Sequence, residues 1–282
     1  MPELPEVEVV VQSLRGQLAG ARLAAARFSG KRLRHAFPKQ AVDRLVGQPL
    51  QNVTRRAKFV ILEFPSGWLA IHLGMSGAAQ VCHRDVPSEK HDHVRLGFLL
   101  PNQQVCDLVY NDPRRFGSFQ WFEKSEASDV QALGAVLGES AKGLEPFDPR
   151  FDGRLLYEQS RRVRAAVKPW LMQGSTVVGV GNIYACEALF ASGLHPARAA
   201  GAISLARYER LAVAVREILQ SAIDAGGSTI RDFVSADGTK GRYGQSHQVY
   251  GREGVPCPKC ARPIRRIVQQ QRSTFYCYAC QR

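Results

Sequence analysis

The sequence predicts an α+β protein of more than one domain, and three observations carry that expectation. Between about residues 20 and 122, short runs rich in β-branched and aromatic residues are broken by turn residues. After residue 150, apolar residues recur at helical spacing, and the tail from 251 holds two Cys-x-x-Cys pairs. A chain of 282 residues with 45% hydrophobic content can bury a substantial core, and its length suggests about two domains.

At the N-terminus, Val7, Val10, Val11, Leu14 and Leu18 fall at i, i+3, i+4, i+7 and i+11, one stripe of an amphipathic helix. Pro2 and Pro5 stiffen its entry, and Glu6 and Glu8 suit its first turn. Removal of Met1 ahead of the small Pro2 would leave a secondary amine beside the Glu3 carboxylate. An α-amino group titrates at roughly 7.7–8.0, so part of it is neutral and nucleophilic at physiological pH. A secondary amine that condenses with an aldehyde or a sugar C1 gives a cationic iminium, a strong electron sink. A retained Met1 would lock that nitrogen into an amide. Taken alone, however, the octapeptide reads as the start of a helix.

Strands are expected over Val53–Phe64, Trp68–Leu73, His93–Leu100, Gln104–Tyr110 and Ser118–Phe122, forming a β-sandwich or flattened barrel. Residues 123–150, with Gly134, Gly138, Gly143, Pro146 and Pro149, read as a hinge holding a short helix. Helices are expected over Leu155–Arg162, Ala165–Met172, Ile183–Ser192 and Leu205–Ala225. A glycine-rich turn, Val177-Val178-Gly179-Val180-Gly181-Asn182, enters the third of these. Such turns are mostly structural, but amides at a helix N-terminus can also hold phosphate. Residues 226–250 are polar and glycine-rich, a candidate lid.

Lys plus Arg outnumber Asp plus Glu by 38 to 25, a formal net charge of +13, and the pI is near 9.7. That surplus fits a polyanionic partner, nucleic acid or an acidic membrane surface. No apolar run approaches the roughly 18 residues of a spanning helix, and a start carrying Glu3, Glu6 and Glu8 is no secretory signal. A soluble cytoplasmic protein is expected. Of seven cysteines, Cys82, Cys106 and Cys186 are scattered. The other four form Cys257-x2-Cys260-x16-Cys277-x2-Cys280, the spacing of a four-thiolate zinc site on paired knuckles. Four protein ligands leave no open position, so a structural zinc is expected. Residues 240–282 carry nine Lys or Arg against Glu253 alone, a net +8 by subtraction, which suits a nucleic-acid-binding finger.

Four stretches in order, Pro2–Glu8, Asp112–Gly117, Val177–Ala185 and Gln271–Cys277 on the ribbon, together resemble the formamidopyrimidine-DNA glycosylase family from end to end of the chain. The continuation Leu4-Pro5-Glu6-Val7-Glu8 resembles that branch rather than the related endonuclease VIII enzymes, which share the Pro-Glu start and the finger. The resemblance implies four parts. These are an N-terminal catalytic β-sandwich domain with flanking helices (1–125), a hinge (126–150), a helix–two-turn–helix DNA-binding domain with a lesion lid (151–245), and a four-cysteine zinc ribbon (246–282). It implies a bifunctional base-excision enzyme, acting as a monomer in a nucleoid-associated bacterial setting on duplex DNA that carries 8-oxoguanine or formamidopyrimidines. Excision would be followed by β,δ-elimination, with one structural zinc and no organic cofactor.

Carried over residue by residue, Pro2 would attack C1′ and Glu3 would protonate the sugar ring oxygen. Lys58 would donate a proton during β-elimination and Arg272 would serve δ-elimination. Asn182, His91, Arg114 and Lys168 match DNA-contacting positions, while Met75, Arg114 and Phe116 match residues that fill the space left by the everted nucleotide. Without the resemblance, Lys58 reads as a surface lysine, His72 as a structural histidine ending a strand, and Met75 and Phe116 as core. Glu6 reads as a partner for helix-end amides. The chain departs from the family pattern at Val163, where a DNA-contacting lysine is common, which leaves Arg162, Arg164 and Lys168 as alternative candidates to replace it. It departs again after Met172 and around residues 242–247. Three other readings compete: a silent DNA-binding relative, an endonuclease VIII-like enzyme for oxidised pyrimidines, and a proton-transfer enzyme with an N-terminal proline. The last does not account for a basic zinc ribbon.

Overall fold

The computed structural model describes residues 2–228 and 241–282. They fall into two compact units, Met1–Val136 with Ala225–Arg242, and Leu137–Asp224 with Tyr243–Arg282.

The first unit opens with helix α1 (Leu4–Gln17). Its Val-rich sequence is a poor intrinsic helix former, so tertiary packing must hold it. Val7, Val10, Val11 and Leu14 are fully buried in the main core. At about 1.5–3 kcal/mol each, those four outweigh the roughly 1 kcal/mol of an N-cap.

Strand β1 (Arg22–Phe28) and a short helix α2 (Lys39–Asp43) follow. Seven further strands complete the unit: β2 (Asn52–Arg56), β3 (Phe59–Phe64), β4 (Gly67–His72), β5 (Ala78–His83), β6 (Asp92–Leu99), β7 (Val105–Asn111) and β8 (Ser118–Glu123). They form two antiparallel sheets, ordered β1-β6-β7-β5 and β2-β3-β4-β8. Alternate residues Val60, Leu62 and Phe64, Leu69 and Ile71, Val94, Leu96 and Phe98, and Cys106, Leu108 and Tyr110 share one core, the period-2 signature of facing sheets. The separate ladders make this a sandwich rather than a closed barrel.

Two strands, β1 and β5, lie outside the expected set. Their sequences RLAAARF and AAQVCH are rich in alanine and poor in strand formers, and ladder pairing rather than propensity fixes them. The expected strand 53–64 is a hairpin: Arg56 pairs with Phe59, leaving Ala57 and Lys58 as a two-residue turn. Ala57 adopts φ +51°, a conformation its residue type does not announce.

The second unit follows α3 (Leu133–Val136). It contains α4 (Gly153–Ser160), α5 (Val167–Leu171), α6 (Asn182–Ala191), α7 (Leu205–Asp224) and the ribbon strands β9 (Arg265–Gln269) and β10 (Arg272–Tyr276). All four helices lie within two residues of their expected bounds. Asp152 caps α4 by accepting the Leu155 amide at 2.7 Å. Ahead of α6, Gly179 takes φ +81°, and the Val178 amide donates to the Leu144 carbonyl at 2.9 Å. The α6 helix packs on α5, α7 and β10. No helix among the described residues is long and apolar enough to cross a membrane.

Candidate functional site

Pro2 is buried, and Glu3 and Glu6 are 3% and 2% exposed. Glu3 is the N-cap of α1 and forms a reciprocal capping box with Glu6: the Glu3 carboxylate accepts the Glu6 amide, and Glu6 Oε2 accepts the Glu3 amide at 2.9 Å. The other Glu6 oxygen, Oε1, accepts the Ser228 amide at 2.7 Å. Gly227, at φ +83°, makes that approach possible, because a Cβ there would lie 3.2 Å from Glu6 Cγ. Glu6 thus satisfies helix-end amides and also ties down the root of the segment 229–240. The arrangement places Glu3 and Glu6 at the positive end of a helix, with Glu3 next in sequence to Pro2. With a free amine, it offers a nucleophile and an adjacent proton carrier.

Lys58 sits half-buried on the β2–β3 turn. Burial, and beyond it the charges of Lys58 and Arg34, lowers the pKa of His72 to about 4. His72 is therefore neutral at physiological pH, and its Nδ1 accepts the Gly74 amide at 3.0 Å. This gives it a structural partner, as expected for a histidine ending a strand.

Met75 and Phe116 are 42% and 46% exposed, so the core-packing alternative fails for both. The Arg114 guanidinium lies over the Phe116 ring, 4.7 Å from its centre. The loops that carry these side chains meet closely. A Cβ on Gly74, at φ +70°, would stand 2.5 Å from the Gly117 nitrogen, and one on Gly117 would stand 1.7 Å from the Tyr110 hydroxyl oxygen. Beneath them lies Asp112, wholly buried, whose carboxylate meets donors from both loops. The carbonyl of His91 accepts the Asp112 amide at 3.0 Å, which brings His91 to the same edge.

In the second unit, Lys168 is 1% exposed. Its Nζ donates to Asn182 Oδ1 and, at 2.9 Å, to Thr274 Oγ1. Asn182 Nδ2 donates to the Ser273 carbonyl at 3.0 Å. The lysine expected at a DNA-contacting position is thus enclosed by protein, and it orients the Asn182 amide. Lys168 also floors a cleft of about 170 Å³ whose rim includes Gln270 and Arg272. The ribbon turn Gln270–Gln271 has both residues at positive φ, +46° and +61°, and exposed Arg272 follows it. Glu187, 2% exposed, accepts the amides of Gln248, Val249 and Tyr250 at 2.8–3.0 Å, anchoring the entry to the ribbon.

The ligand atoms of Cys257, Cys260, Cys277 and Cys280 all lie within 4.8 Å of one another. Two of the sulfur pairs are separated by 3.9 and 3.5 Å, against about 3.8 Å for the edge of a tetrahedron with metal–sulfur bonds near 2.3 Å. The Lys259 amide points at Cys257 Sγ, 3.4 Å away. The four cysteines fit one structural zinc ion. When bound, it would cross-link the two knuckles and leave no ligand position for chemistry.

Comparison with known proteins decides the relationship. Residues 1–119 match the formamidopyrimidine-DNA glycosylase N-terminal domain, 142–234 its H2TH domain, and 254–282 a zinc finger found in FPG and IleRS. The chain belongs to the formamidopyrimidine-DNA glycosylase family. Formamidopyrimidine-DNA glycosylases of Aromatoleum aromaticum and Escherichia coli O6:K15:H31 are 48% and 44% identical to it over the whole of both chains. A Lactococcus lactis FPG variant in complex with a Fapy-dG containing DNA superposes with a TM-score of 0.87 at 31% identity, covering 99% of each chain. MutM in complex with carbocyclic 8-oxo-G containing DNA gives 0.86 at 32%, with the same coverage.

Within this glycosylase, sequence reasoning missed Asp112 and Glu187. The first was legible only as the opening residue of the Asp112–Gly117 stretch, and the second had no local signal. Of the candidate lid 226–250, residues 229–240 lie outside the described residues. The departure at 242–247 lies within the described residues, where Tyr243 packs its ring on Tyr184 and His247, 5.9 and 5.7 Å between centres.

Proposed function

We propose that this protein excises oxidised purines, 8-oxoguanine and formamidopyrimidines, from duplex DNA and then cleaves the abasic strand by β,δ-elimination. The observation that carries the reading is the Pro2–Glu3 pair at the capped start of α1, in a family whose Lactococcus lactis member was solved on Fapy-dG DNA. Pro2 nitrogen attacks C1′ of the damaged nucleoside, and Glu3 delivers a proton to the ring oxygen as the sugar opens. The base leaves and an iminium remains. That cation acidifies the C2′ proton, so the 3′ phosphate departs, with Lys58 as proton donor. Arg272, always charged, holds phosphate for the second elimination.

Met75, Arg114 and Phe116 fill the space vacated by the everted nucleotide, with Arg114 bonding the orphaned cytosine. Asn182 and His91 grip backbone phosphate, and Lys168 acts by fixing the amide of Asn182. The setting is the bacterial cytoplasm, in association with the nucleoid.

Borohydride trapping tests the reading on duplexes bearing 8-oxoguanine, an oxidised pyrimidine, or no lesion, using protein whose Pro2 amine is verified free by mass spectrometry. A covalent adduct with the 8-oxoguanine duplex is expected. No adduct on any duplex would refute the mechanism, and an adduct confined to the pyrimidine lesion would move the substrate class to that of endonuclease VIII.

A further inference from the structure

We propose that Asp112 is the positioning residue of the eversion element. Its buried carboxylate joins two loops into one platform, so that Met75, Arg114 and Phe116 enter the duplex as a unit. The inference rests on the reading of those three side chains given above. Asp112 is 0% exposed, and each of its oxygens has two donors. Oδ1 accepts the Ser76 hydroxyl at 2.8 Å and the Arg114 amide at 3.2 Å. Oδ2 accepts the Gly117 amide at 2.9 Å. It also lies 3.1 Å from the Tyr110 hydroxyl, whose proton it shares with the Leu73 carbonyl at 3.2 Å.

The backbone of Asp112 is held as firmly. Its amide donates to His91, and its carbonyl accepts the Arg115 amide at 3.2 Å and His93 Nε2 at 3.0 Å. Ser76 follows Met75 in one loop, while Arg114 and Gly117 bracket Phe116 in the other. Exposed side chains have little packing of their own to fix them, so their placement derives from what lies beneath. Both oxygens are needed: asparagine has a single acceptor, and its NH2 group would face donors on the other side.

The test uses the full chain carrying Asp112→Asn or Ser76→Ala, the latter cutting only the link between loops. Three quantities are measured: single-turnover excision of 8-oxoguanine, strand cleavage at a preformed abasic site, and eversion reported by 2-aminopurine fluorescence beside the lesion. Asp112→Asn is expected to slow excision and eversion by about 10- to 100-fold while abasic-site cleavage is unchanged. Ser76→Ala should fall between that variant and the wild type. In a Phe116→Ala background, Asp112→Asn should add no further loss of eversion, because both act through one element.

Equal loss on both substrates, tracking the thermal midpoint, or full additivity with Phe116→Ala would reduce Asp112 to a fold stabiliser and overturn the proposal. If Asp112→Asn does not fold, an unchanged ratio of the two activities in Ser76→Ala overturns it. Failure of wild-type protein to form a borohydride adduct is a separate result. It would strike the functional reading first and this proposal with it.

Discussion

Phe116 stands 46% exposed with a guanidinium over its ring, so it contributes little to the core. Phe116→Ala should therefore leave the thermal midpoint within about 0.5 kcal/mol of wild type. It should weaken excision of 8-oxoguanine and spare cleavage of a preformed abasic site; equal loss on both substrates would refute a wedge. His72 makes a different prediction. Its folded pKa is about 4 against an ordinary 6.5, so below pH 6.5 the unfolded chain takes up a proton that the native chain refuses. Stability present above 6.5 is lost as pH falls toward 4, by up to roughly 3 kcal/mol. His72→Asn, which keeps an acceptor for the Gly74 amide, should flatten that part of a pH–stability curve. Residue roles were legible where chemistry is local, as in the cysteine spacing. They were illegible where a buried carboxylate collects distant amides: Glu187 accepts from residues 61 to 63 positions away, and no periodicity encodes that.

Among elements, α1, α4 and α7 were read closely because each presents an apolar stripe at helical period, and α5 and α6 because they are near-continuous buried runs bounded by turn residues, whereas β1 and β5 were missed because alanine carries no strand signal. The β2–β3 and β9–β10 turns were hidden for a related reason. Ala57, Gln270 and Gln271 hold left-handed backbone without the Gly or Asn that marks such turns. Strain of order 1–3 kcal/mol per residue persists only where the surroundings over-determine it, and these turns lie next to or carry Lys58 and Arg272. The ribbon's own determinant is the metal. A structural zinc contributes about 10–16 kcal/mol of binding free energy to folding, far more than two five-residue strands supply. Chelation, or Cys257→Ser, should melt the ribbon and abolish incision of lesion duplex while the first unit keeps its own unfolding transition; calorimetry with and without chelator reads both. Retained incision after verified zinc loss would refute a dependence on the finger.

For the whole molecule, the net charge of +13 predicts steep salt dependence. If it grips 6–10 phosphates, affinity for a lesion duplex should fall by about 10³–10⁵ between 50 and 200 mM salt. A shallow slope in a binding titration would mean that the surplus is merely a solvated surface. Chain connectivity adds an order of events. The first unit is discontinuous, its last part being Ala225–Arg242, and the bond from Ser228 to Glu6 spans 222 positions. During vectorial synthesis at about 5–20 residues per second, the opening helix leaves the ribosome roughly 10–45 s before the residue that completes the coordination of its capping carboxylate. The chain therefore cannot finish the housing of its Glu6 carboxylate until most of its length has been made.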